Sequence, residues 1–241
     1  MKIVIGKKKH YWKKGDLHTS QGVIKEEDIL KNSFVKSHIG GSFLVIEASF
    51  EDIISKFKRG PAIMVLKDIS YIIAKCGLGC SSKVVEAGSG CGVMTSYLGR
   101  ICKVVSYENN LKHFRIASEN IKNLGSIYPS VKKNVKLVEK DVSEISEKDL
   151  DMIFLDLNNP WENLDIYFSC LKKSGFLVCY LPNITQVKKV IDSVNEESNL
   201  KFYLDEVCEV NKRDWIVDSK RVRPENISLV HTGFLVFLRK I

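Results

Sequence analysis

The segment Glu86-Ala87-Gly88-Ser89-Gly90-Cys91-Gly92 ends the apolar run that starts at Lys83 and leads into the run Val93 to Leu98. Glycine at every second position lets a backbone turn tightly and lets a ligand approach closely. A Gly-x-Gly-x-Gly run alone also fits an ordinary strand-to-helix turn, so the acids around it matter. Glu86 stands just before the glycines, and Glu108 ends the next β run, where a carboxylate can bind both ribose hydroxyls of an adenosyl group. Asp141 ends a third, where it can accept a hydrogen bond from an adenine amino group, and Asp156 ends a fourth. Each acid taken singly reads as a solvated loop residue. Four of them at successive strand ends, beside a glycine loop, point to a bound adenosyl cofactor.

These residues need a parallel sheet to converge, because only there do successive carboxyl ends line one crevice. The pattern supplies one. Lys83–Ala87, Lys103–Glu108, Val135–Val138, Met152–Asp156 and Phe176–Tyr180 read as strands. Val93–Leu98, Leu111–Leu124, Trp161–Leu171 and Thr185–Val194 read as the helices between and after them. Ahead of them, Asp68 is expected to cap a helix bearing Ile69, Ile72 and Ile73 on one face. The alternation predicts a parallel sheet covered by helices on both faces. Two last β segments, Phe202–Val210 and Gly233–Leu238, have no helical crossover between them, only Asn211–Thr232 with Pro224 inside, which predicts an antiparallel ending. That ending, the acidic Glu86 ahead of the glycines and the acids on the third and fourth strands favour a methyl-donor cofactor, S-adenosylmethionine, over a nicotinamide dinucleotide. The first 57 residues read differently. Short candidate strands (Lys2–Ile5, Ser42–Ile46) are broken by Gly15, Gly22, Gly40 and Gly41, the pattern of a small β module. The texture changes near Lys58-Arg59-Gly60-Pro61, so the expected domains are 1–57 and 58–241.

Bulk properties set the limits. With 241 residues, 44% hydrophobic and 27% charged, the chain is long enough for one large α/β domain with a small companion. No run approaches the ~18 apolar residues of a membrane span, and the N-terminus lacks the apolar core of a secretory signal. The seven cysteines are odd in number, irregular in spacing and without a C-x-x-C pair, which argues against a zinc or redox motif. Most lie in apolar runs, and we read a reducing, cytoplasmic setting and no metal. Lys and Arg exceed Asp and Glu by 37 to 29, a net +8 that favours polyanions, although a Lys-rich proteome would produce the same excess.

At this point the residues resemble a known family, the class I tRNA adenine-N1 methyltransferases that modify the T-loop. The likeness runs over nearly the whole chain: Asp16-Leu17-His18-Thr19-Ser20-Gln21-Gly22; Arg59-Gly60-Pro61 with Lys67-Asp68; the cofactor loop Val85 to Gly92; Ser106-Tyr107-Glu108; Asp156 to Trp161; Tyr180 to Gln186; Arg213-Asp214-Trp215; Arg223-Pro224; and His231-Thr232-Gly233-Phe234-Leu235. The sequence departs from the family at Ala62, where Gln is frequent, at Val65, where a different aromatic or apolar residue is usual, and at Leu66 and Asn158, where Pro is usual. The short, Lys-rich form looks closest to archaeal members, which can modify both adenines 57 and 58.

The resemblance implies a Rossmann-like class I methyltransferase fold, α/β with a seven-stranded, mostly parallel sheet, plus a small N-terminal β domain. It implies S-adenosyl-L-methionine held by Glu86, Gly88, Ser89, Gly90, Cys91, Gly92, Glu108, His113, Asp141, Val142 and Asp156. Asp156 is the expected catalytic carboxylate, stabilising the cationic product base. Tyr180 is either the wall on which the target base stacks or a core tyrosine. His10-Tyr11-Trp12 with the neighbouring lysines reads either as an RNA contact or as plain β-module surface. His231 and Arg213 read as packing or pocket-lining residues, Arg213 alternatively as a phosphate contact, and Met94, Trp161 and Trp215 as core. tRNA is the implied partner, and a homotetramer the implied assembly. Two other readings stay open: a protein carboxyl methyltransferase of isoaspartyl type on the same fold, and a non-catalytic tRNA-binding subunit.

Overall fold

Residues 1–60, 63–196 and 201–241 are described by the computed structural model, so Pro61 and Ala62 of the segments noted above lie outside the described residues. The chain divides into two units, Met1–Phe57 and Lys58–Ile241.

The first unit contains β1 (Lys2–Ile5), β2 (Lys9–Trp12), β3 (Leu17–Thr19), β4 (Gly22–Ile24), α1 (Glu26–Lys31), β5 (Phe34–Lys36), β6 (Ser42–Glu47) and α2 (Phe50–Ile54). Four strands form an antiparallel sheet in the order β2-β1-β6-β5, and β3 pairs with β4 in a separate ribbon. The sheet buries Val4, Trp12, Val35, Phe43 and Val45 together with Ile24 and Ile29. The unit is not all β, as the sequence pattern suggested. Three acids in the first turn of α1 favour its N-terminal dipole, and a reciprocal cap between Ser49 and Asp52 closes α2. Helices of six and five residues are too short to show a helical period in the sequence.

The second unit contains α3 (Leu66–Lys75), β7 (Lys83–Ala87), α4 (Val93–Ile101), β8 (Lys103–Tyr107), α5 (Leu111–Gly125), α6 (Pro129–Asn134), β9 (Val135–Val138), β10 (Leu150–Leu155), α7 (Leu164–Cys170), β11 (Leu171–Leu181), α8 (Ile184–Glu196), β12 (Phe202–Cys208), β13 (Trp215–Val217), β14 (Val222–Pro224) and β15 (Phe234–Lys240). Its seven-stranded sheet has the order β12-β15-β11-β10-β7-β8-β9. Strands β9, β8, β7, β10 and β11 run parallel, and β15 runs against both β11 and β12, the antiparallel ending read from the sequence. Met152, Ile153, Phe154 and Leu155 of β10 are all buried, as a central strand covered on both faces requires.

Three local readings are corrected. Val65, not Asp68, occupies the N-cap of α3; Asp68 lies within the helix's first turn and is fully buried. Trp215 is not core but 57% exposed, on the two-stranded ribbon of β13 and β14 inside the segment read as a plain connection. Its three-residue strands offer no alternation long enough to read. Trp161 is only partly buried against the core, with Lys189 over its ring, whereas Met94 is buried.

Candidate active site

Strand β7 is the sheet's switch point. From it the chain crosses to β8 and β9 on one side and then to β10 and β11 on the other, leaving a crevice at the carboxyl ends. The glycine loop spans that crevice. Gly88, Gly90 and Gly92 have φ of 66°, 56° and 83°, the left-handed region that side chains disfavour. A Cβ on Gly88 would stand 2.7 Å from the Asp156 carbonyl oxygen, so the loop can lie against the end of β10 only as glycine. Main-chain bonds tie the loop to its neighbours: Ser89 N to Tyr107 O (3.2 Å) and Asp156 N to Ala87 O (2.7 Å). Buried Asn120 on α5 adds a side-chain brace, donating to the carbonyls of Cys91 and Lys58 and accepting from Lys58 N.

Around the loop lies a cavity of about 420 Å³. Of the residues singled out in the sequence, Glu86, Gly88, Ser89, Gly90, Cys91, Glu108, His113 and Asp156 line it. Gly92, Asp141, Val142 and Tyr180 do not. Gly92 is the N-cap of α4. Asp141 caps the short turn Val142–Glu144 and accepts a 2.9 Å bond from Asn109 Nδ2, so it touches the cavity only through a lining residue. Met64, Met94, Asn109, Asn110, Leu157 and Asn158 complete much of the wall. Asn109, Asn110, Leu157 and Asn158 follow directly on strand-end acids, a signal that could have found them. Met64 carried none.

Three carboxyl groups face this space in different states. Glu108 is buried and accepts from Gly90 N through Oε2 and from Asn110 N through Oε1, each at 3.0 Å. Each oxygen keeps a lone pair, which suits a pair of vicinal hydroxyls. Glu86 lies beneath the loop. Burial pushes its carboxyl up to about 7, against hydrogen bonds from Thr95 (2.6 Å) and Ser106 and with some repulsion from Asp156. Ser89 and Ser106 hydroxyls meet at 2.6 Å in the same buried layer. Asp156 opens to solvent at the cavity mouth yet is surrounded by protein. Desolvation, with repulsion from Glu108, raises it to about 6. An electron-poor or cationic ligand would offset both shifts.

The residues fit an adenosyl sulfonium: a glycine cradle that a Cβ would fill, a carboxylate with free lone pairs for the ribose, and two acids whose charge a cation would favour. Tyr180, half-buried at the end of β11, donates from Oη to the Thr232 carbonyl at 2.7 Å. Burial raises its phenol to about 12, with Asp68 and Asp156 adding to the shift. His231 is exposed, bonded through Nδ1 to Glu209 and through Nε2 to the Pro182 carbonyl. Arg213 is exposed. The seven cysteines are free thiols, Cys91, Cys102, Cys170 and Cys179 buried and Cys80 exposed. Among the described residues no three His, Cys, Asp or Glu side chains gather as metal ligands, and no helix is long and apolar enough to cross a membrane.

Sheet order, glycine loop and strand-end acids together define a Rossmann-like, S-adenosylmethionine-dependent methyltransferase. Solved structures agree: one titled a SAM-dependent O-methyltransferase, from Thermotoga maritima, is 25% identical with a TM-score of 0.87, covering 100% of this chain and 92% of its own. One titled tRNA (m1A58) methyltransferase TrmI, from Aquifex aeolicus, is 27% identical with a TM-score of 0.82, covering 100% and 96%. The family described as tRNA methyltransferase complex GCD14 subunit matches residues 55–233, and the chain belongs to it. Among curated relatives, the tRNA (adenine(57)-N(1)/adenine(58)-N(1))-methyltransferase TrmI of Methanocaldococcus jannaschii is 32% identical over 92% of this chain and 86% of its own. The tRNA (adenine(58)-N(1))-methyltransferase TrmI of Thermus thermophilus is 31% identical over 94% and 89%. S-adenosylmethionine is the cofactor of this family.

Proposed function

We propose that this chain transfers a methyl group from S-adenosylmethionine to N1 of an adenine in the tRNA T-loop, at position 58, with 57 a second acceptor as in the archaeal relative's name. The observation that carries the reading is the convergence of Glu86, Glu108 and Asp156 on one cavity beneath the glycine loop, in a chain of this family. Neither a protein carboxyl methyltransferase nor a non-catalytic subunit is favoured, since the relatives matched over most of the chain are named as adenine-N1 enzymes and the acids of the site are intact.

The cofactor supplies an electrophilic methyl group on a sulfonium. Glu108 would hold its ribose, Glu86 and the loop from Gly88 to Gly92 would hold its amino acid end, and His113, which lines the same cavity, would contribute to the adenosyl site. Asp141 and Val142 support the adenine side from behind Asn109. Adenine N1 carries a free lone pair, so no base is needed, and positioning dominates the barrier. The product base is cationic. Asp156 accepts from its exocyclic amino group and stabilises the growing charge. The base leaves the RNA fold to reach the crevice and stacks on Tyr180. Residues 1–57 serve as the small β domain and 58–241 as the methyltransferase domain.

A homotetramer fits the exposed apolar side chains of the 211–232 segment. Trp215, Val217, Val222, Ile227, Leu229 and Val230 are all more than half exposed, a grouping that suits contact between subunits. A cytoplasmic setting fits the enzyme's tRNA substrate.

Incubation with unmodified tRNA and labelled cofactor, followed by nucleoside mass spectrometry, is expected to yield 1-methyladenosine. Asp156→Ala is expected to cut transfer by roughly two to three orders of magnitude with S-adenosylhomocysteine affinity nearly unchanged. Undiminished turnover in that variant removes Asp156 from the reaction.

A further inference from the structure

We propose that Asp68, acting with Lys67 through Thr232, is a positioning residue that sets the Tyr180 ring. The proposal rests on the reading of Tyr180 as the stacking wall. Asp68 is fully buried, and its partner Lys67 keeps only 9% of its side chain exposed. Lys67 Nζ donates to Asp68 Oδ1 at 2.8 Å and also to Thr232 Oγ1. Thr232 Oγ1 donates in turn to Asp68 Oδ2 at 2.7 Å. The three side chains close a ring of mutual bonds between the first turn of α3 and the turn before β15, segments 164 residues apart in sequence.

A buried ion pair adds little net stability, because desolvation offsets its attraction. Here it does something a hydrophobic contact would not: it holds Thr232 in one orientation. The carbonyl of that residue accepts the Tyr180 hydroxyl at 2.7 Å. The next residue, Gly233, lies so close to the ring that a Cβ there would stand 2.6 Å from Cε2. On the other side of the turn, His231 Nε2 faces the carbonyl of Pro182, two residues after Tyr180, at 3.1 Å. Tyr180 is therefore held at its hydroxyl tip and along its ring by one clamped turn. Because its hydroxyl proton is committed to a main-chain carbonyl, what it offers a base is a ring face, not a proton.

Steady-state kinetics with tRNA as varied substrate, at saturating cofactor, test this. Thr232→Val, Asp68→Asn and Tyr180→Phe are each expected to lower kcat/KM for tRNA by roughly tenfold, the scale of one lost buried hydrogen bond, mainly through KM. Thr232→Ser keeps the bonds and is expected to restore wild-type values. S-adenosylhomocysteine affinity by calorimetry is expected to stay constant throughout. In a Tyr180→Ala background, Thr232→Val is expected to cost nothing further, because the ring it positions is gone. Full additivity of the two losses overturns the proposal. Should Thr232→Val fail to fold, Tyr180→Phe decides alone, and a wild-type kcat/KM overturns it. Wild-type activity in Tyr180→Ala would instead overturn the stacking role of Tyr180 itself.

Discussion

A carboxylate that stabilises a developing cation must itself be charged, and Asp156 stands where charge is disfavoured. Its carboxyl is raised to about 6 by desolvation and by Glu108. Below that pH the free enzyme holds a neutral acid, which cannot offset the positive adenine. The expected outcome is a kcat/KM for S-adenosylmethionine, measured at subsaturating tRNA so that it reports the free enzyme, that falls as pH drops through about 6. The acid limb of kcat should lie lower, because a bound cation favours the carboxylate. Asp156→Asn should lose the limb. A limb that survives unchanged in that variant belongs to another group, with Glu86, raised to about 7, the first to test by Glu86→Gln. At this scale the acids were legible in the sequence because each stands at or within three residues of the end of an apolar run. Thr95, Ser89 and Ser106, which bond around Glu86, were not recognised as a cluster. They come from three separate elements, and only folding brings them together.

Elements place these groups through the glycine loop and its braces. At Gly88 two constraints coincide: φ of 66° and a carbonyl oxygen where a Cβ would stand. Gly88→Ala is therefore expected to cost about 1–3 kcal/mol in stability through backbone strain and displacement of the β10 end. It should also weaken S-adenosylhomocysteine binding at least tenfold, because the glycine loop that lines the cavity is itself displaced. Denaturant unfolding and calorimetry check both, and wild-type values would show that the loop tolerates a side chain there. The strands and longer helices of 58–241 could be read from apolar period. What could not be read was the start of α3, because Asp68 has a cap-forming side chain that instead turns inward to Lys67 and Thr232. The short helices α1 and α2 and the ribbon of β13 and β14 were also missed, each shorter than one reliable period.

For the whole molecule, the proposed tetramer makes the exposed apolar segment 211–232 a contact surface. Trp215→Glu combined with Ile227→Glu is expected to lower the molar mass in light scattering by at least half while leaving the circular dichroism spectrum intact, since both side chains are exposed in the single chain. An unchanged mass would move the contact elsewhere. What the sequence by itself determined is local: the alternation of apolar runs, the glycine loop between two of them, and the acids at their ends, all set by short-range periodicity and backbone preference. Only the tertiary structure decided which acids share a cavity. Strand order placed Glu86, Glu108 and Asp156 around one crevice and set Asp141 a step back behind Asn109. It also joined Asp68 to Thr232 across 164 residues, a contact that no local pattern encodes because long-range pairing follows from how the sheet closes.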